Sequence, residues 1–568
     1  MTLSWRNFAQ LTVVLGALSQ ILGCSVWKSI QQKASKPQAS RTASYQAYGT
    51  SRSERNREAS PIQFEDRTTQ WGLRPDAYIL EKYPKNIQDT FGTGCAFVDI
   101  NGDTFEDAII VYNNGIRVYK NNLGRGFTDV SNAWSPTLLG RLTGIAAGDA
   151  NGDGRVDVVI TGQPGLFLLL NTGSRFRATR LNNPKDVTSW WTSAAFVNLN
   201  RDSKLDLVVG RYVTFGLGSL QACSLRGIPT ACAAYHYPEQ KSVVWMNTRK
   251  GKFVDATVKL GWQATSGITR AVLPQDVDND GDTDVFLGND GVQSDMMQNA
   301  PVGQWKNRGI ETGLAVNAVG ASIAIGGGDW SDINQDKRPD IHVTTPQGEI
   351  GSLFCQDTLG LYGESSTMRG LLATRGWSGA GTLLEDFDAD GFADIFIVNG
   401  ASENNIDLTT PGMTYRQPCL VFSGSKGGYY TDVSERVGVS VQRPLAGRGI
   451  ASADVDQDGD TDILVTDVEG PARLFVNTSQ SVSGVASVRL VRRKQSSAIG
   501  SVVFAGQRRI EVNTARGFLS ASSPTILLTF PPQIKRLPVV VRWHSARSET
   551  FEVSVGTRTV LREGGGKK

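Results

Sequence analysis

A short acidic cluster recurs seven times along the chain, and its side chains are spaced to surround a metal ion. Each copy has oxygen-bearing residues at positions 1, 3 and 5 and an Asp at position 9. Calcium takes six to eight oxygen ligands in a flexible geometry, so one such loop can wrap one ion with side chains and a backbone carbonyl. The copies, which we number loops 1 to 7, begin at Asp99, Asp149, Asn198, Asp276, Asp332, Asp386 and Asp454.

Four loops combine this ligand set with Gly at position 6, which permits a tight bend. We predict calcium in at least three of the seven loops, with these four as the stronger candidates. The predicted ligands are Asp149, Asn151, Asp153 and Asp157 in loop 2, Asp276, Asp278, Asp280 and Asp284 in loop 4, Asp386, Asp388, Asp390 and Asp394 in loop 6, and Asp454, Asp456, Asp458 and Asp462 in loop 7.

Loops 1 and 5 are predicted to be weaker sites because Thr104 and Lys337 replace the Gly. Loop 3 starts with two Asn residues and contains Arg201 and Lys204, so we predict that it holds no ion. The chain as a whole would then bind three to six calcium ions, mainly for stability. The weaker ligand sets are Asp99, Asn101, Asp103 and Asp107 in loop 1 and Asp332, Asn334, Asp336 and Asp340 in loop 5.

Simple Asp-Gly turns are the alternative interpretation of these loops. A turn does not need three or four converging carboxylates, which repel one another unless a cation is present. An EF-hand would close with Glu at position 12 between helices, and magnesium would require a stricter octahedron, so calcium fits the pattern best.

The segments between the loops predict strands. A Gly/Ala-rich strand enters each loop, a β-branched strand leaves it, a third segment ends near an Asn, and a fourth reads aromatic-x-Asp-x-Thr/Ser. Four short strands are the content of one propeller blade. We therefore predict an all-β chain with a seven-bladed β-propeller over residues 62–480. The spare fourth segment at 64–68 precedes loop 1, so the N-terminal strand would complete the last blade.

Three other regions interrupt or follow the repeats. Long insertions at 211–241 and 400–418 are predicted to lie in loops on one face, often the binding face of a repeat protein. After about residue 481 the pattern stops, and strands of a different pattern predict a small β domain over 481–563. Residues 564–568 are predicted to be a disordered tail.

The N-terminal 24 residues have the features of a signal peptide. Residues 21–24 read Ile-Leu-Gly-Cys, which resembles a bacterial lipobox, so Cys24 is predicted to be lipidated. An ordinary signal peptide cleaved near Gly23 is the alternative. Residues 25–61 are polar and are predicted to be a flexible tether. We expect export to the outer membrane or cell surface, or else to the periplasm or medium.

Composition argues against several function classes. The seven loops hold 26 of the 55 acidic residues, yet the net charge is +3, so the rest of the chain is basic. No basic run is interleaved with aromatic residues, so we predict no nucleic-acid binding. The chain has three His and none of the common catalytic motifs, so we predict that it is not an enzyme. Glu239 and Glu403 are the candidates if it acts on a polysaccharide.

The loop and strand motifs resemble the FG-GAP/VCBS repeats of integrin α-subunit propellers and bacterial surface proteins, over residues 62–480. Residues 498–502, 506–509, 516–520 and 541–543 resemble parts of the ASPIC/UnbV domain found in the cartilage acidic protein family. That family has a paired-Cys loop, which implies a disulfide between Cys223 and Cys232, and export permits it. Cys95 is predicted to be a buried thiol, and Cys355 and Cys419 could pair.

These observations predict a lipid-anchored, calcium-binding propeller that mediates protein or glycan interaction at the cell envelope. A polysaccharide-acting enzyme and a purely structural envelope component are the alternatives. The oligomeric state is left open.

Overall fold

The computed structural model describes residues 60–567, except 75–83, 85, 203, 217, 300, 482 and 494–496. The predicted signal peptide, Cys24 and nearly all of the predicted tether lie outside the described residues. Among those that are described, no helix has the length and hydropathy needed to span a bilayer.

Strands make up most of the regular structure, as their short alternating sequences predict. In chain order they are β1 (Phe64–Asp66), β2 (Cys95–Val98), β3 (Asp107–Tyr112), β4 (Gly115–Asn121), β5 (Phe127–Asp129), β6 (Arg141–Gly148), β7 (Asp157–Gln163), β8 (Phe167–Asn171), β9 (Phe176–Arg180), β10 (Trp191–Val197), β11 (Asp206–Arg211), β12 (Cys223–Leu225), β13 (Ile228–Thr230), β14 (Val243–Arg249), β15 (Lys252–Asp255), β16 (Thr269–Gln275), β17 (Asp284–Asn289), β18 (Asp295–Asn299) and β19 (Trp305–Asn307). They continue with β20 (Gly328–Ser331), β21 (Asp340–Val343), β22 (Ser352–Gln356), β23 (Tyr362–Glu364), β24 (Gly379–Glu385), β25 (Asp394–Asn399), β26 (Leu420–Ser425), β27 (Tyr429–Asp432), β28 (Gly447–Ala453), β29 (Asp462–Asp467), β30 (Arg473–Asn477), β31 (Val485–Val491), β32 (Val502–Ala505), β33 (Arg508–Glu511), β34 (Ile526–Thr529), β35 (Arg536–Arg542), β36 (Ser548–Ser554) and β37 (Arg558–Arg562).

The described helices are single turns between strands. The α-helices are α1 (Ser131–Trp134), α2 (Gly309–Thr312) and α3 (Ile406–Thr409). The 3₁₀ helices are Ile87–Thr90, Ala234–His236, Trp262–Ala264, Leu372–Gly376 and Ser434–Arg436.

Seven four-stranded antiparallel sheets lie between residues 64 and 477, and each contains one acidic loop between its first two strands. Sheets 1 to 7 are, in order, β2-β3-β4-β5, β6-β7-β8-β9, β10-β11-β14-β15, β16-β17-β18-β19, β20-β21-β22-β23, β24-β25-β26-β27 and β28-β29-β30-β1. The all-β fold class is therefore confirmed. Strand β1, which precedes loop 1 in the chain, pairs with β30, with Phe64 opposite Asn477.

The sheets contact one another in cyclic order. The first strand of each sheet contacts the first strand of the next, and β28 of sheet 7 contacts β2 of sheet 1. An amide side chain at the end of the third strand also crosses to the preceding sheet. Asn121 Nδ2 donates to Val455 O at 2.8 Å, from sheet 1 to sheet 7. Asn171, Asn247, Asn299, Gln356 and Asn477 make the equivalent bonds in sheets 2, 3, 4, 5 and 7.

Residues 485–562 form two further sheets, which we call the C-terminal unit. Their strand orders are β34-β31-β37 and β33-β32-β35-β36, and β31 pairs with β37 in parallel. A core of its own includes Trp543, Phe530 and Val488. The predicted disordered tail is paired where the structure describes it, because Lys567 and Thr550 exchange two backbone hydrogen bonds of 2.8 and 2.9 Å.

A segment of the C-terminal unit, residues 513–523, lies against the first strands of all seven sheets. We call it the channel segment. It contacts sheet 1 through Ala521, whose carbonyl accepts the Phe97 N–H at 3.1 Å, and sheet 2 through Leu519, whose carbonyl accepts the Ile145 N–H at 2.9 Å. Ala515 belongs to an apolar cluster formed by residues of sheets 3 and 4. The remaining contacts are Asn513 with Pro274 O of sheet 4, Gly517 with Gly328 of sheet 5, Arg516 with Glu385 of sheet 6 and Ser523 with Ser452 O of sheet 7.

Gly517 is required where the channel segment passes Ile450 of sheet 7. Its φ is +77°, in the left-handed region that favours glycine. A Cβ at this position would also lie 2.7 Å from the Ile450 side chain and 2.8 Å from its carbonyl oxygen. Only a residue without a side chain fits here.

Candidate metal centres and the opposite face

The Asp at position 9 is a structural anchor in all seven loops. It is at most 1% exposed in each sheet and starts the second strand. In loop 4, for example, Asp284 Oδ2 accepts the Val277 N–H at 3.1 Å and Oδ1 accepts the Asn299 N–H at 2.8 Å. The same pair of bonds forms in loop 3, which sequence predicts to be free of metal. This Asp therefore has a folding role that needs no ion.

Replacing Asp206 of loop 3 by Ala is expected to cost about 2–4 kcal/mol of unfolding free energy, because two buried N–H groups lose their acceptor. These donors are the amides of Leu199, at 3.1 Å, and Asn247, at 2.8 Å. Chemical denaturation measures the loss. Asp202→Ala in the same loop is the matched control, since its side chain is 32% exposed and pairs with Lys204. It is expected to cost under about 1 kcal/mol. Equal losses would contradict the anchoring role.

Loops 4, 6 and 7 bring three carboxylates together. In each loop, ligand atoms from positions 1, 3 and 9 lie within 4.8 Å of one another. One oxygen of the first Asp, Oδ1 of Asp276 and of Asp386, is buried without a hydrogen-bond partner among the described residues, and both oxygens of Asp454 are in this state. Orphaned, buried carboxylate oxygens fit a cation better than they fit a plain turn. The converging residues are Asp276, Asp278 and Asp284, then Asp386, Asp388 and Asp394, then Asp454, Asp456 and Asp462.

The electrostatics of these loops favour a bound positive charge. Burial raises the pKa of Asp388 to about 6, and the neighbouring Asp390 and Asp386 add to the shift. Burial raises the pKa of Asp454 to about 7, with Asp458 and Asp456 adding to the shift and the Arg558 charge opposing it. A divalent cation would relieve the repulsion that keeps protons on these groups.

The predicted ligands at position 5 each make a backbone hydrogen bond within their loop. Asp280, Asp390 and Asp458 each accept the backbone N–H of position 7, at 2.8, 2.8 and 3.1 Å. They close the turn and do not belong to the converging groups. Asp460, at position 7 of loop 7, was not among the predicted ligands, but its Oδ1 is buried without a described partner and burial raises its pKa to about 10.

Loop 2 differs from the other three loops with a complete ligand set. Its position 3 is Asn151 instead of Asp, so positions 1, 3 and 9 carry two carboxylates, Asp149 and Asp157, and one amide. Asn151 Oδ1 is buried without a hydrogen-bond partner among the described residues. Asp153 forms an ion pair with Arg155, and its Oδ2 also accepts from Asn151 Nδ2 at 3.1 Å. Arg155 occupies position 7, and the basic residues Lys204 and Arg338 at this position of loops 3 and 5 also pair with the Asp at position 5. A basic residue at position 7 is thus a sequence signal for an internal counter-charge.

Loops 1 and 5, the predicted weaker sites, are satisfied mainly by the protein. Asp99 accepts backbone N–H groups of Gly102 and Thr104 at 2.7 and 3.0 Å, and Asp332 accepts those of Asp336 and Lys337 at 2.9 and 3.0 Å. Asn101 and Asn334 accept the N–H of Asp103 and Asp336, and Asp107 and Asp340 are the position-9 anchors.

The C-terminal unit covers the face that carries the acidic loops. Arg489 Nη1 lies 3.4 Å from Asp99 of loop 1 and Arg508 Nη1 lies 3.2 Å from Asp386 of loop 6. Arg542 forms an ion pair with Asp276 of loop 4. His544 Nε2 lies 3.1 Å from Asn198 O of loop 3, and the Arg509 N–H donates to Asp332 of loop 5 at 3.2 Å. Sequence analysis missed these contacts.

The two long insertions meet on the opposite face. Both connect the second and third strands of a sheet, so they lie at the end opposite the acidic loops. Asn405 Nδ2 donates to Pro229 O at 2.8 Å across them. Burial raises the pKa of Glu403 to about 7, and a hydrogen bond from the Ala231 backbone opposes this shift. Glu239, the other candidate carboxylate, pairs with Lys241 at 2.7 Å.

The first insertion has a buried base and an exposed tip. Phe215 and Tyr237 are 5% exposed and pack in one cluster with Phe518 and Leu519 of the channel segment. Tyr235 is 79% exposed, and its ring centroid lies 4.5 Å from that of His236.

The five described cysteines comprise one disulfide and three free thiols. Cys223 and Cys232 form a disulfide, with Cα atoms 5.2 Å apart. Cys95, Cys355 and Cys419 are free thiols. His342 is fully buried, its Nδ1 lies 3.0 Å from Thr382 Oγ1, and burial lowers its pKa to about 3, which suits a structural residue.

Comparison with known proteins detects FG-GAP-like repeats at residues 99–160 and 149–209, which span loops 1 to 3. A comparison with curated protein sequences found no match. The likeness of residues 481–563 to the ASPIC/UnbV domain stays a prediction.

Several solved structures are similar at low identity. An Agrocybe aegerita lectin that recognises non-reducing terminal N-acetylglucosamine is 15% identical to this chain, with a TM-score of 0.38. The match covers 66% of this chain and 86% of the lectin chain. BBS1N in complex with ARL6DN is 11% identical, with coverages of 74% and 98% and a TM-score of 0.40. The exotype rhamnogalacturonan lyase YesX is 10% identical, with coverages of 74% and 76% and a TM-score of 0.40. Scores at this level identify neither a ligand nor a reaction. What the chain itself establishes is an all-β fold of four-stranded sheets that contains FG-GAP-like repeats.

Proposed function

We propose that the chain is an exported, calcium-stabilised, seven-bladed propeller that binds a protein or glycan through the face carrying its insertions. The seven sheets would form one closed ring, supported by the cyclic contacts of their first strands and by the pairing of β1 with β30. Lipidation at Cys24 and placement at the outer membrane or cell surface remain part of this proposal.

The observation that carries the proposal is the asymmetry between the two faces. The C-terminal unit lies over acidic loops 1, 3, 4, 5 and 6, so a large ligand has little access to them. The insertions instead expose apolar and aromatic side chains: Leu220 is 66% exposed, Tyr235 79% and Leu408 47%. Exposed aromatic and apolar groups next to polar ones suit contact with protein or with sugar rings.

Calcium would act on stability in this proposal. Loops 4, 6 and 7 provide the ligands, and a divalent ion there would neutralise carboxylates that already converge. At about ten times Kd each site would add about 1.4 kcal/mol to folding, so three sites would add about 4 kcal/mol.

Point variants at the exposed tip test the ligand face. Excising either insertion is unsuitable because Phe215 and Tyr237 of the first and Tyr415 of the second belong to buried apolar clusters. We therefore expect Tyr235→Ala combined with Leu408→Asp to abolish binding of residues 60–568 to an oligosaccharide array or to envelope-protein extract. The unfolding temperature of this double variant should equal that of the unchanged protein.

Tyr429→Ala is the matched control for that experiment. Tyr429 is 52% exposed and lies on β27, the outer strand of sheet 6, away from the insertions. It should retain every interaction. If the Tyr235/Leu408 double variant binds as the unchanged protein does, the insertion face is not the ligand face. If the unchanged protein binds neither probe, the purely structural alternative is favoured.

A further inference from the structure

Loops 4, 6 and 7 differ in whether an arginine of the C-terminal unit contacts the first Asp. In loop 4, Arg542 donates to Asp276 Oδ2, and Arg509 Nη2 lies 3.9 Å from the same oxygen. In loop 6, Arg508 Nη1 donates to Asp386 Oδ2 at 3.2 Å. In loop 7, no described arginine is hydrogen-bonded to Asp454, whose two carboxylate oxygens are buried, and Arg558 acts on it through its charge.

Each arginine shares a carboxylate with the group that would hold a cation. Asp276 is 2% exposed, its Oδ2 faces the guanidinium, and its Oδ1 is buried without a partner next to Asp278 and Asp284. A divalent cation held by Oδ1 and a guanidinium held by Oδ2 would lie on one carboxylate. Two positive charges this close repel even after solvent screening, because the site is buried.

We propose that the arginines of the C-terminal unit compete electrostatically with calcium at loops 4 and 6, so that calcium weakens the docking of this unit and the unit weakens calcium binding. The inference rests on the calcium binding proposed above. Such coupling is reciprocal, since each ligand changes the affinity of the other by the same factor. Among the arginines that the structure describes, none is hydrogen-bonded to the first Asp of loop 7, so this loop would bind calcium most tightly.

Calcium titration calorimetry on residues 60–568 tests the coupling. We expect Arg542→Gln to tighten the binding of one calcium ion about five- to tenfold. Arg542→Lys, which keeps the charge, should leave that affinity close to the original value. Adding Asp278→Asn should remove the gain and so assign it to loop 4. Arg508→Gln should act in the same way on loop 6 and serves if Arg542→Gln does not fold.

Hydrogen exchange measures the reverse effect, that of calcium on the docking of the C-terminal unit. Calcium should speed amide exchange in β33 and β35 of the unchanged protein, and much less in the Arg508→Gln/Arg542→Gln double variant. Unchanged or weaker calcium binding in both arginine variants overturns the competition while leaving the proposed calcium sites intact. Absence of calcium binding in every variant, the unchanged protein included, overturns both proposals.

Discussion

Replacing Arg516 by Ala is expected to lower the free energy of unfolding by about 3–5 kcal/mol, because it leaves a buried carboxylate without its cation. The guanidinium lies on the channel segment, 2.6 Å from Asp329 of sheet 5 and 2.5 Å from Glu385 of sheet 6, and it also donates to Leu384 O at 3.0 Å. Asp329 is 2% exposed. Burial raises the pKa of Asp329, and the Arg516 charge opposes that rise.

Urea-induced unfolding of residues 60–568 measures the effect. Arg308→Ala is the matched control, because Arg308 pairs with Glu311 at 2.7 Å on the surface, where the two side chains are 43% and 65% exposed. It should change stability by less than about 1 kcal/mol. If Arg516→Ala is as mild as this control, the channel segment does not hold sheets 5 and 6 together.

Phe518→Ala is expected to cost about 3–5 kcal/mol and to loosen the insertion face as well. Phe518 is 1% exposed, its ring centroid lies 5.8 Å from that of Phe91, and the Arg270 guanidinium lies 5.1 Å from its ring. The same cluster contains Phe215 and Tyr237 of the first insertion. Truncation would therefore leave a cavity beneath the proposed ligand face.

Two measurements separate the loss of overall stability from the loosening of the insertion face. Thermal unfolding gives the overall loss, and hydrogen exchange at residues 211–241 should rise in Phe518→Ala beyond the rise expected from global stability alone. Tyr235→Ala is the control, since an aromatic ring that is 79% exposed should contribute little to folding. Unchanged exchange in the insertion would show that the channel segment does not support that face.

The repeated parts of the fold could be predicted from sequence because each sheet uses the same local bonds. The aromatic-x-Asp-x-Thr/Ser segment is an example. Asp129 accepts the Ser131 N–H at 2.8 Å, and the Ser131 hydroxyl accepts the Val118 N–H at 2.9 Å. These contacts join residues fewer than twenty positions apart, so motif spacing reveals them. The insertions were also found as breaks in an otherwise regular spacing.

The contacts of the C-terminal unit could not be predicted in this way. Arg542 and Asp276 are 266 positions apart, and Arg489 and Asp99 are 390 apart, with no repeat to relate them. The difference between loop 2 and loops 4, 6 and 7 could be predicted in part from sequence. Loop 2 has the glycine and the position-1, -5 and -9 carboxylates of loops 4, 6 and 7, but Asn151 occupies position 3 and Arg155 at position 7 pairs with Asp153. Counting carboxylates overlooked that positive charge.

Equilibrium dialysis of metal-free residues 60–568 counts the calcium ions that the acidic loops bind. We expect saturable uptake of at least three ions, one each in loops 4, 6 and 7, with Kd values at or below about 10⁻³ M. Thermal stability should rise in parallel, and Asp278→Asn, Asp388→Asn and Asp456→Asn should each remove one ion. No saturable uptake up to several millimolar calcium, with an unchanged unfolding temperature, would contradict calcium binding by these loops.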